Sequence, residues 1–138
     1  MIITVTLNPA LDKTVYVDKL RPNDANRIQR IEVDAGGKGV NASRVLKELG
    51  SQTIALGFLG GNSGKFIEHV LNSEGVPTDF VIVEQETRTN ISVQENTGAP
   101  PTVFNEPGPF VTEDKLNELL AKVSSTAQQS SMVIFGGS

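Results

Sequence analysis

The sequence predicts an α/β fold in which a parallel sheet carries helices on both faces. Three observations lead there. Apolar segments of strand length alternate with segments of helical period. Two stretches of half-exposed β pattern interrupt the alternation, and the last strand runs straight into a glycine turn. With 138 residues, 38% of them hydrophobic and 20% charged, the chain has enough apolar material for a core.

The elements follow in order. Ile2 to Leu7 is rich in β-branched residues and stops at Asn8-Pro9, the pattern of a buried strand ending in a turn. Thr14 to Leu20 and Arg27 to Val33 alternate around the turn-forming Arg21-Pro22-Asn23-Asp24 and read as a hairpin. After Gly36-Gly37-Lys38-Gly39 the period becomes helical, with Ala42, Val45, Leu46 and Leu49 as the apolar face and Gly50 as the stop. Thr53 to Leu59 is a strand. Phe66, Ile67, Val70 and Leu71 mark a helix closed by Gly75, and Phe80 to Val83 is a third strand. Asn90 to Gln94 and Thr102 to Phe104 make a second β pair, and the two interruptions together predict one separate small sheet. Thr112 caps a helix with Leu116, Leu119, Leu120 and Val123 on one face. Ser124 to Ser131 reads as a polar connector, Met132 to Phe135 as the last strand, and Gly136-Gly137-Ser138 as a ligand loop of the kind α/β sheets carry at their carboxyl ends. A chain that stops at such a loop is expected to be a truncated domain.

Composition excludes several functions. A net charge of -4 argues against nucleic-acid and anionic-membrane partners, which require a surplus of Lys and Arg. The absence of Cys and the single His69, read as a surface residue, remove disulfides, thiol nucleophiles and nitrogen or sulfur zinc sites. No segment approaches the ~18 apolar residues of a membrane helix, and Met1 to Pro9 lacks the features of a signal peptide. A cytoplasmic location is the expectation.

Three segments can carry chemistry. Gly36 to Gly39 opens a helix, so backbone N–H groups, the positive end of the helix dipole and the cation Lys38 converge, as suits an anion or a polyol. Two look-alikes fail. Gly37-Lys38-Gly39-Val40-Asn41-Ala42 fits a dinucleotide fingerprint but lacks the acid about 20 residues on. Gly60-Gly61-Asn62-Ser63-Gly64-Lys65 mimics a P-loop, but its glycines are too close and Phe66 replaces the magnesium-binding hydroxyl. Asp12, past the first strand's turn, has the carboxylate to accept from two ligand hydroxyls. Arg88, at the mouth of the second insertion, has the planar fork that grips phosphate.

Thr6-Leu7-Asn8-Pro9-Ala10-Leu11-Asp12, Gly36 to Leu46, Thr87-Arg88-Thr89-Asn90 and Gly136-Gly137-Ser138, in this order and spacing, resemble the fructokinase-like branch of the ribokinase superfamily. The resemblance implies a ribokinase-like core covered by a small β lid, built from insertions near residues 13–34 and 88–105, that also forms a homodimer. It implies transfer of the ATP γ-phosphate, with Mg2+, to a hydroxyl of a phosphorylated ketohexose. Fructose 1-phosphate is the first expectation, and tagatose 6-phosphate or fructose 6-phosphate are the alternatives. A sugar-phosphate-binding module without catalysis is the alternative of another class. By the same resemblance Asp12 and Asn41 hold sugar hydroxyls, Gly37 and Lys38 line that pocket, and Arg88 and Ser138 hold the substrate's phosphate, with Arg27 reaching in from the lid. The catalytic base and the nucleotide pocket are expected beyond residue 138.

Overall fold

The β-branched run at the amino terminus forms β1 (Ile2–Thr6), and its alternation decides how the layers assemble. In the computed structural model, which describes residues 1–137, β1 pairs in parallel with β4 (Thr53–Leu59) on one side and β8 (Met132–Gly136) on the other. β5 (Val81–Ile82) extends the sheet beyond β4, giving the order β5-β4-β1-β8. Ile3 and Val5 project to one face, where Leu56, Phe58, Val81 and Leu119 of α3 (Glu113–Ala127) close a core. On the opposite face α1 (Lys38–Glu48) and α2 (Gly61–Ser73) pack Val40, Ile67 and Leu71 over Ala55 and Leu59. Helices therefore cover both faces of the parallel sheet.

A second four-stranded sheet stands apart from the first. β2 (Ala10–Val17) pairs antiparallel with β3 (Arg30–Gly36) and parallel with β6 (Arg88–Glu95), and β7 (Thr102–Asn105) closes the order β3-β2-β6-β7. The two interruptions of the α/β pattern thus form one sheet. β2 starts at Ala10 rather than Thr14, because Ala10 and Asp12 pair with Arg88 and Asn90. β3 likewise runs on to Gly36, so the glycine loop is continuous with this sheet. Asp12 consequently sits inside a strand and not in a turn.

Three further expectations need correction. α1 buries Gly39, Val40 and Ser43, while Val45 and Leu49 are exposed. The small residues let the helix lie close to β1, where Ser43 hydrogen-bonds buried Thr4. On α3 only Leu119 is fully buried and Leu116 and Leu120 face outward. The polar run from Ser124 is helical as far as Ala127, since Ser125 and Thr126 donate their hydroxyls to the Lys122 carbonyl within the helix. Among the described residues no helix is long and apolar enough to cross a membrane.

The P-loop look-alike has a structural role. The Glu86 carboxylate accepts from the Ser63 N–H at 2.7 Å, filling the amino terminus of α2 that a phosphate would need. That backbone hydrogen bond, with a second from the Ser63 side chain, holds the Glu86 carboxyl below its ordinary value of 4.5. A carboxyl depressed by folding stabilises the fold above its unfolded value and loses that contribution as pH falls through the folded one. Glu86→Gln is therefore expected to melt at a lower temperature than the parent at neutral pH, with the difference vanishing as pH is taken down from 4.5. Coincident melting curves at neutral pH would refute the capping role.

Candidate functional site

The site forms where the carboxyl ends of β1 and β8 meet the amino terminus of α1, the position at which an open α/β sheet binds its ligands. Gly37 precedes α1 at φ 125 and lies so close to β1 that a Cβ there would sit 2.8 Å from Thr6 Cγ2 and 3.3 Å from Pro9 Cα. Only glycine combines that backbone with that approach. Gly136 abuts Gly39 across the sheet end, where a Cβ would come 3.2 Å from Gly39 Cα. Among the described residues no side chain caps α1, whereas Glu86 closes α2 and Thr112 closes α3. The first-turn N–H groups of α1 are thus left for a ligand.

Around this helix start lies a cavity of about 170 Å³ bordered by Thr6, Asn8, Gly37, Lys38, Asn41, Arg88 and the Gly136-Gly137 turn. The structure therefore brings Gly37, Lys38, Asn41 and Arg88 together. Arg88 donates through Nη2 to the Asn8 carbonyl at 3.0 Å and through Nη1 to the Glu106 carbonyl at 3.5 Å. Both partners are neutral, so its charge stays available to an anion, and its buried Nε has no partner among the described residues. Arg44, by contrast, is bound by two carboxylates, Glu74 and Asp34, which push its pKa above the ordinary arginine value.

Asp12 lines an adjoining groove of about 250 Å³ on the second sheet, together with Thr14, Asn90 and Asn105. It stands between Asp34 and Asn90 in the strand register, and Asn90 Nδ2 donates to its Oδ1 at 3.3 Å. Burial raises the Asp12 pKa from 3.8, against the opposing effects of the Asn90 hydrogen bond and the Arg88 charge. The folded chain then binds more protons than the unfolded one just above 3.8, so stability falls as pH rises through that window. Asp12→Asn should consequently melt higher than the parent at neutral pH while binding a polyol more weakly. A lower melting temperature there would contradict this sign.

Thr6, Asn8 and Asn90 were not singled out individually by sequence reasoning. Among the described residues, Thr6 Oγ1, Asn8 Oδ1, Asn90 Oδ1 and Arg88 Nε are all buried polar atoms without partners, and all border these two hollows. Their motifs, Thr6 to Asp12 and Thr87 to Asn90, were the available signal. Arg27 is placed elsewhere: it borders a hollow of about 420 Å³ at the far end of the β2–β3 hairpin, with Asp18, Arg21 and Asn26. Within one chain Arg27 does not reach the cavity, because β2 runs from Ala10 beside the cavity to Val17 beside the hairpin end. Ser138 lies outside the described residues.

The chain is 37% identical over 136 residues to 1-phosphofructokinase of Borreliella burgdorferi, covering 99% of this chain and 44% of that protein. It is 42% identical over 123 residues to D-tagatose-1-phosphate kinase of Bacillus licheniformis, covering 89% and 40%. The fold superposes with a TM-score of 0.90 on phosphofructokinase-2 of Escherichia coli in complex with fructose-6-phosphate, at 28% identity, covering 99% of this chain and 45% of that one. The chain thus spans less than half the length of these relatives. With residues 5–138 matching the family pattern from β1 through the glycine turn after β8, the chain belongs to the pfkB family of carbohydrate kinases.

Proposed function

We propose that this chain forms the sugar-phosphate-binding part of an ATP-dependent kinase that phosphorylates a hydroxyl of a ketohexose already phosphorylated at C1, with fructose 1-phosphate as the first substrate. The observation that supports it best is Arg88: a guanidinium oriented by two neutral carbonyls, with a buried unmet Nε, beside an uncapped helix start. Asp12, Asn41, Gly37 and Lys38 hold the sugar, and Arg88 and Ser138 hold its existing phosphate. The two curated relatives named above, at 37% and 42% identity, have names that place the phosphate on C1, which favours fructose 1-phosphate, and tagatose 1-phosphate after it, over the 6-phosphates.

ATP and Mg2+ complete the reaction that the family's kinase chemistry implies, and the P-loop-like turn is not their cradle, because Glu86 fills it. The steps assigned to this chain are binding and orientation of the acceptor sugar.

The second sheet is proposed as a lid and homodimer surface. Its polar face carries Asp12 and Asn90 in the adjoining groove, while its opposite face presents Ile31, Val33, Ile91 and Phe104, all exposed. A second copy offering the same apolar face would cover them. Calorimetric titration with fructose 1-phosphate and with fructose tests the substrate reading. The phosphorylated sugar should bind about 10-fold or more tightly, the size of one charge-assisted contact. Equal affinities would refute it.

A further inference from the structure

Arg88 is held by a strap that leads out of the second sheet, and we propose that Asn8 and Gly108 are positioning residues that fix the guanidinium for its anion. This rests on the reading of Arg88 as the phosphate ligand. The strap is the segment 106–108 that follows β7. Its Glu106 contributes twice: the carbonyl accepts from Arg88 Nη1, and the carboxylate accepts from the Thr89 N–H at 2.7 Å, fastening the strap to the strand that carries Arg88. At Pro107 the carbonyl accepts from Asn8 Nδ2 at 2.8 Å, and the Asn8 carbonyl in turn accepts from Arg88 Nη2 at 3.0 Å. Arg88, the Asn8 turn and the strap thus form a closed loop of hydrogen bonds joining three distant parts of the chain.

Gly108 makes the loop fit. Its φ is 101, a backbone that side chains disfavour, and a Cβ there would fall on the Asn8 side chain, 2.9 Å from both Cγ and Nδ2. A methyl group at residue 108 must push Asn8 away or relax the strap. In either case one or both carbonyls that orient Arg88 move, while the charge of Arg88 is untouched. The physical requirement is clear: a long cationic side chain otherwise loses rotamer freedom on meeting its ligand, and fixing it beforehand removes that cost. Neutral carbonyls achieve this without the neutralisation that a carboxylate clamp such as Glu74 and Asp34 imposes on Arg44.

The test is a double-mutant cycle on the chain, read by calorimetric titration with fructose 1-phosphate. Gly108→Ala is expected to weaken binding about 2- to 10-fold, the size of one neutral hydrogen bond. Asn8→Ala should do at least as much. In an Arg88→Ala background Gly108→Ala should cost nothing further, a coupling that general damage to the fold does not produce. Unchanged affinity in Gly108→Ala, or the same loss with and without Arg88, overturns the strap. If instead the parent chain does not bind fructose 1-phosphate, or Arg88→Ala alone binds as tightly as the parent, the reading of Arg88 as the phosphate ligand is what fails. Melting curves of each variant confirm that folded protein is compared.

Discussion

Arg88→Ala is expected to weaken sugar-phosphate binding by about 10- to 150-fold, the loss of a charge-assisted contact worth roughly 1.5–3 kcal/mol. The effect should be this large because Arg88 is already oriented by the Asn8 and Glu106 carbonyls, so little of the gross interaction is lost to ordering the side chain. The fold should tolerate the change. Glu106 is exposed and water replaces the donor it loses, while β6 keeps its pairing with β2 and β7. Arg88→Lys separates charge from geometry, since an ammonium retains the attraction but cannot span two carbonyls and present a third N–H. Its affinity should fall between those of parent and alanine variant. Titration with fructose 1-phosphate provides the measurement, and a loss under twofold in Arg88→Ala would remove the residue from the phosphate site.

The layer architecture was legible because its signals are local. β1 announces itself through β-branched residues, α2 through Ile67 and Leu71, and α3 through its Thr112 cap and acidic first turn. What misled was packing between elements. Val45, Leu49, Leu116 and Leu120 satisfy a helical apolar stripe yet remain exposed, since α1 meets the sheet through small residues and α3 through Leu119. The start of β2 was hidden by Asp12 and Lys13, polar residues that serve the groove rather than the core. The same distinction governs the site. Gly37, Lys38, Asn41 and Arg88 belong to recognisable motifs, and the structure gathers them. The Glu106–Gly108 strap has no periodicity to betray it, because its role arises from contacts across 99 residues between Asn8 and Pro107. Arg27 illustrates the converse, a residue whose charge and place in the first β interruption are readable but whose distance from the cavity is set by the length of a strand.

The 138-residue chain assayed alone is expected to show no measurable ATP-dependent phosphorylation of fructose 1-phosphate. Two rate factors decide this. Proton removal by a positioned base is worth about 10²–10⁴-fold, and an oriented site for developing charge about 10²–10³-fold. Among the carboxylates near the cavity, Asp12 is engaged by Asn90, and Glu106 accepts from the Thr89 N–H. Glu86 is committed to capping α2, and the uncapped start of α1 serves the acceptor sugar phosphate in this reading, so each of these three carboxylates already has a partner. The combined deficit of about 10⁴- to 10⁷-fold places turnover below detection even when the sugar phosphate binds. The chain should also associate. β8 pairs only with β1 among the described strands, and Met132 and Phe135 on it are 56% and 63% exposed, an apolar edge that invites strand addition. The apolar face of the second sheet adds a further surface. Light scattering on parent and Ile31→Lys separates the two: a charge at Ile31 should abolish association through the second sheet and leave association through β8. Stoichiometric turnover by a monodisperse monomer would overturn the expectation on both counts.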